Sequence, residues 1–199
     1  HLKAPWPIDR LVVPADMEKT ADDRWRLKDR TTTGIREFHI GTPPPEEGKA
    51  ILWTNEHISG DEHHMLVQPS VSGASVESKA DGSGGMSLVA VEVPVHYVVN
   101  DVEAYERLGP PGIRDEILRQ QAARVASRYF IGKSIDEVLG AGRRVMADEL
   151  RERILDVYRS LNFRDNGEPV VEVLFVGVNG AHPDRSVAPQ FEQVIQAQQ

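Results

Sequence analysis

The stretch LVAVEVPVHYVV, residues 88–99, constrains this chain more than any other. Val89, Val91, Val93, Val95, Tyr97 and Val99 recur with period two, so they share one face of a strand. The opposite face alternates Leu88, Ala90, Glu92, Pro94, His96 and Val98 and is mixed in character. Proline has no N–H to give a ladder, so Pro94 is expected at a sheet edge or a bulge.

Around that strand the chain reads in three parts. Residues 1–87 are β-rich, with strand candidates IDRLVVP (8–14), IREFHIG (35–41), AILWT (50–54) and HHMLVQ (63–68). Two connectors break them: the proline-rich GTPPPEEGK (41–49) and the Gly/Ser-rich stretch 71–87, a flexible loop or long hairpin tip. Residues 88–185 alternate strand and helix patterns. Asn100-Asp101 ends the strand and caps a helix over 102–108, and GPPG (109–112) forms a turn. A second helix over 114–130 aligns Leu118, Ala122, Val125 and Tyr129. Ser134 and Glu137 form a capping box opening a short helix that Gly140 and Gly142 interrupt. A long helix over 143–162 aligns Leu150, Ile154, Val157, Tyr158 and Leu161 beneath an Arg/Glu face that reads as a solvated surface. After a turn at DNGEP (165–169), VVEVLFVGV (170–178) is a second strand and AHPDR (181–185) a break.

The third part, 186–199, is the start of a helix. Val187, Phe191, Val194 and Ile195 fall on one stripe, Ser186 can cap it, and Pro189 sits in its first turn. No stop signal follows before Gln199, and the chain opens on His1 without a leader. Both ends read as those of a domain cut from a longer protein. Strands, then helices, then a strand and a helix predict an α+β (mixed α/β) layer with helices on one side of a sheet.

Acidic residues outnumber basic ones, 31 to 23, for a formal charge of −8. A nucleic-acid binder needs a basic face, so this balance argues against nucleic acid and against broad docking on anionic lipid. There is no cysteine, hence no disulfide and no thiolate metal site. No stretch reaches the ~18 apolar residues a spanning helix needs. Pro5, Trp6 and Pro7 form a stiff segment suited to the mouth of a membrane, or an ordinary N-terminal arm.

Chemistry-bearing residues concentrate in EHISGDEHH (56–64). His57, Asp61, Glu62, His63 and His64 are all metal-binding or acid–base types, but the spacing matches no metal motif. Gly60 favours a strand–turn–strand with His63 and His64 on opposite faces, and the segment reads as a polar turn. His39 and His182 are isolated in sequence, and His96 reads as a surface or interface histidine. No nucleophile elbow or phosphate loop is present in the sequence.

The ordered set of elements resembles the SPFH family, also called band 7 or prohibitin-homology proteins (stomatin, prohibitin, flotillin and the bacterial HflK and HflC proteins). The likeness rests on the valine-rich strand into Tyr97, Val99, Asp101 and Tyr105, and on the arginine-bearing helix from Arg143 to Leu161. It continues through the strand at 171–178 and Pro183, Val187, Phe191, Val194 and Ala197. KAPWPIDR and ISGDEHHMLV are similar to the HflK-like branch, with 71–87 as an insertion.

That resemblance implies a non-enzymatic, membrane-associated scaffold without a cofactor. It implies an anchor before residue 1, a coiled coil growing from Phe191, Val194 and Ile195, and large rings formed with itself or a paralogous SPFH subunit. It further implies organisation of membrane microdomains, regulation of a membrane-anchored AAA protease, and a domain on the extracytoplasmic (periplasmic) side. Two other readings stand beside it. One is a metal-dependent hydrolase using His57, Asp61, His63 and His64. The other is a lipid- or small-ligand-binding module with its pocket under 71–87.

Overall fold

A computed structural model describes residues 17–19, 21, 25–27, 34–43, 63–69, 85–140, 142–163, 167–185, 187–189 and 192–193. The described elements are strands β1 (Met17–Lys19), β2 (Trp25–Leu27), β3 (Arg36–Gly41), β4 (His64–Val67) and β5 (Ser87–Val99), then helices α1 (Val102–Arg107), α2 (Ile113–Ile131), α3 (Ile135–Leu139) and α4 (Arg143–Ser160), and finally strands β6 (Val171–Val176) and β7 (Asn179–Pro183). The fold is mixed α+β: a five-stranded antiparallel sheet with helices packed on it, plus a separate β1–β2 pair.

The period-two strand organises everything else. β5 is long enough to take two shorter strands along each edge. β3 pairs with Glu92 to Tyr97 and β4 with Ser87 to Ala90. β6 pairs with Val95 to Val99 and β7 with Val89 to Glu92. The valine face of β5 is fully buried and joins one apolar core with Leu118, Ala122 and Phe130 of α2 and Leu150, Ile154 and Tyr158 of α4. Helix α2 packs on β3 and β4, α4 packs on β6 and α2, and the Tyr158 hydroxyl donates to the Leu118 carbonyl at 2.9 Å.

The local signals fold as their chemistry dictates. Asp101 caps α1 by accepting from the Ala104 N–H at 3.0 Å, and Ser134 and Glu137 form the reciprocal capping box of α3. The connection before α3 also locks to the sheet: Gln68 donates to the Lys133 carbonyl at 2.8 Å and accepts from the Ile135 N–H at 2.9 Å.

Pro94, expected at an edge or a bulge, meets the second alternative: it lies in the central strand, between two irregularities of register. It is tolerated because its nitrogen faces the seam where β5 changes partner from β6 to β7. There its carbonyl accepts from the Gly177 N–H at 3.0 Å, and the register shifts on either side. One expectation needs correction: of the break expected at AHPDR (181–185), residues 181–183 belong to β7, and the strand ends only before Asp184. Its residues have weak strand propensity; pairing with β5 and burial of Ala181 and His182 override that.

The strand candidates at 8–14 and 50–54, the body of the 41–49 connector and most of the 71–87 stretch lie outside the described residues. Residues 188–189 and 192–193 are helical, while Ser186, the expected cap, lies outside the described residues. No described helix is long and apolar enough to cross a membrane.

Candidate functional site

Where β3, β5, α1 and α2 meet, a polar clamp forms around Asp115. Helix α2 begins after Gly112, whose φ of 87° turns the chain so that Asp115 faces the sheet. Tyr97 from β5 donates to Asp115 Oδ1 at 2.8 Å, and the Tyr105 hydroxyl of α1 donates to the same oxygen. Arg36 from β3 reaches both carboxylate oxygens at 3.2 Å and the Tyr105 oxygen at 2.7 Å. Phe38 packs on Tyr97, and Arg36 and Arg114 lie over the Tyr105 ring. The clamp borders an open pocket of about 400 Å³ whose rim includes Glu37, Glu116 and Arg119.

Burial alone would raise the Asp115 carboxyl, but hydrogen bonds from Tyr105, Tyr97 and Arg36 outweigh it and hold the group below the usual carboxylate range. The tyrosines move the other way. Burial first, then hydrogen bonding to Asp115, raises Tyr97 strongly and pushes Tyr105 up to about 12. Tyr129 is raised by burial and its bond to Glu149, and Tyr158 by burial. These are all the tyrosines in the chain.

Titration of the folded protein followed at the phenolate absorption band should therefore show no ionisation step near pH ~10, the ordinary tyrosine value. The sign follows from linkage: protonated tyrosine is favoured by the fold, so this stability is present below ~10 and lost as pH rises through the raised values. A phenolate step of normal midpoint before unfolding would contradict the arrangement.

The outer sheet face gathers histidines that are scattered in sequence. His39 Nδ1 lies 2.9 Å from Glu92 Oε1, and His39 Nε2 lies 2.6 Å from Glu37 Oε1. His96 lies 3.6 Å from the other Glu37 oxygen and packs on Phe175. One register step further, His64 and His182 flank Ala90 from β4 and β7, and His64 Nε2 is 3.2 Å from Asp184 Oδ2. Cross-strand partners share a face, so the register alone makes this a histidine–carboxylate face, with His182 fully buried at one end. Of these residues, only the mixed face carrying Glu92 and His96 is visible as a unit in sequence. His39, His64 and His182 join it through pairing.

The sequence-derived cluster at 56–64 is divided. His57, Asp61 and Glu62 lie outside the described residues. His63 is exposed, with its carbonyl accepting from Thr42 Oγ1 at 3.0 Å, while His64 turns to Asp184. Among the described residues no group of three or more His, Asp or Glu could hold a metal ion. Pro5, Trp6, Pro7, Phe191, Val194 and Ile195 also lie outside the described residues.

The Arg/Glu face of α4 is not simply solvated. Glu149 accepts from the Tyr129 hydroxyl at 2.7 Å, Arg153 lies over the Tyr129 ring, and Arg151 donates to the Val173 carbonyl at 2.9 Å. These contacts tie α4 to α2 and β6. Along its N-terminal half Arg143, Arg144 and Arg151 line a groove of about 600 Å³ against β6 and residues 177–179. No protein-family model matches the chain, and no curated protein matches it significantly.

Proposed function

We propose that this chain is the SPFH-type domain of a membrane-associated scaffold that acts by assembling rather than by catalysis. One observation carries the reading. The residues behind the SPFH resemblance fall on the framework and not on incidental surface: Tyr97 and Tyr105 clasp Asp115, Asp101 caps α1, and Val99 is buried in the core. Support also comes from the element order, in which a valine-rich strand runs through helices to two further strands, β6 and β7, and then a helical start.

In this reading an anchor precedes residue 1 and a coiled coil extends from the stripe Phe191, Val194 and Ile195. The domain stands on the extracytoplasmic side of its membrane. Copies, with or without a paralogous SPFH subunit, close into a ring that organises a membrane microdomain and restrains a membrane-anchored AAA protease. Ring closure needs a repeated heterologous interface, and avidity lets many weak contacts hold the assembly.

The test is molar mass by light scattering of the complete gene product in mild detergent, beside residues 1–199. We expect a mass of many subunits for the first and a monomeric or weakly associated second. A complete protein of one or two chains, or a stable large ring from residues 1–199 alone, would overturn this mechanism.

A further inference from the structure

We propose that the groove between the start of α4 and the outer side of β6 binds an extended acidic peptide carrying apolar side chains, supplied by a partner protein. The inference is independent of the scaffold reading.

The groove's charge is out of keeping with the molecule. The chain carries −8 overall, yet Arg143, Arg144 and Arg151 converge here with Asp148 as the acidic group in the lining. Arg36, Arg107, Arg114, Arg119, Arg151 and Arg159 each have a carboxylate within salt-bridge distance. Arg143 and Arg144 have none among the described residues, and Arg143 Nε is buried without a hydrogen-bond partner. That buried Nε raises the cost of leaving the rest of the guanidinium without an anion. The two guanidiniums also open a helix with no acidic residue in its first turn, where the dipole disfavours cations. An incoming carboxylate would pair the two guanidinium groups through their open nitrogens and offset the unfavourable dipole.

The shape of the groove selects the kind of anion. Its cationic wall spans Arg143 to Arg151, about 12 Å of helix, or three to four extended residues. The facing wall is apolar, with Phe175 47% exposed beside Leu174 and Val178. The outer edge of β6 pairs with no other strand among the described residues. A small inorganic anion would use the arginines alone. An extended peptide can also cover Phe175 and lie along the strand edge.

The experiment is fluorescence anisotropy of the full 199-residue chain with a labelled hexapeptide alternating Glu and Leu. A Lys/Leu hexapeptide and vesicles containing phosphatidylglycerol serve as competing probes. We expect saturable, salt-sensitive binding of the acidic peptide, with little of the other two. Exposed Arg144→Glu should weaken it about tenfold and Phe175→Ala about fivefold, with circular dichroism unchanged. Arg124→Glu on α2 makes the same charge change away from the groove and should leave binding intact. No binding overturns the proposal, as does equal weakening by Arg124→Glu, which would mean unspecific charge attraction. Preference for vesicles overturns it too. So does loss of self-association in Arg144→Glu without peptide binding, which would make the occupant a second copy.

Discussion

Replacing Gly41 with alanine should destabilise the protein by about 4 kcal/mol, enough to lower its melting temperature by roughly 10 °C. Gly41 ends β3 with φ of 77°, a left-handed conformation that costs an L-residue energy by itself. The larger cost is contact. A Cβ at this position would stand 2.2 Å from the Val91 carbonyl oxygen, which is backbone of the central strand and cannot swing aside. That oxygen also accepts from the Thr42 N–H at 2.9 Å, the bond that carries the chain onward beside β5. Relieving the clash means breaking that bond or displacing β5 from its core. Gly112 is the internal comparison: its φ is 87°, but open space surrounds its Cβ position. Gly112→Ala should therefore cost only the backbone strain, about 1 kcal/mol. Thermal unfolding of the two variants separates the terms, and a Gly41→Ala effect no larger than that of Gly112→Ala would rule out the close approach.

What the sequence made legible was the local part of the fold. Strand β5, the Asp101 cap, the Ser134–Glu137 capping box and helix α4 each announce themselves within a few residues, through period or through cap chemistry. What local reading left open or missed shares one cause. Pro94 could be placed only by knowing that β6 yields to β7 opposite it, and β7 exists because β5 offers an edge, not because Asn179–Pro183 favours strand. The candidate sites follow the same rule. Asp115 reads in sequence as a helix-start acid, and nothing local links it to Arg36, Tyr97 and Tyr105. His39 looks isolated until antiparallel register sets it between Glu37 and Glu92. Long-range pairing is what sequence periodicity cannot carry.

Replacing Asp115 with alanine should cost about 3 kcal/mol at neutral pH, because charged hydrogen bonds are the strong ones and this carboxylate accepts from three side chains. Asp115 is itself 42% exposed, so part of its interaction is screened by water. The cost falls mainly on its partners. Tyr97 is 2% exposed and would keep a buried hydroxyl without its acceptor, and Arg36 would lose its anion. Since the clamp joins β3, β5, α1 and α2, the loss should appear as global unfolding at lower denaturant, not as local fraying. The acid dependence identifies the cause. A carboxyl held below its unfolded value contributes stability that is whole above about 3.9 and disappears as pH falls through its folded value. Asp115→Asn keeps the shape and removes the ionisation. The stability gap between the native chain and Asp115→Asn, measured by urea unfolding, should therefore be widest above pH ~5 and close as the solution is acidified below about 4. A gap that stays constant across that range would mean that the clamp is held by shape and packing, with the charge on Asp115 contributing nothing.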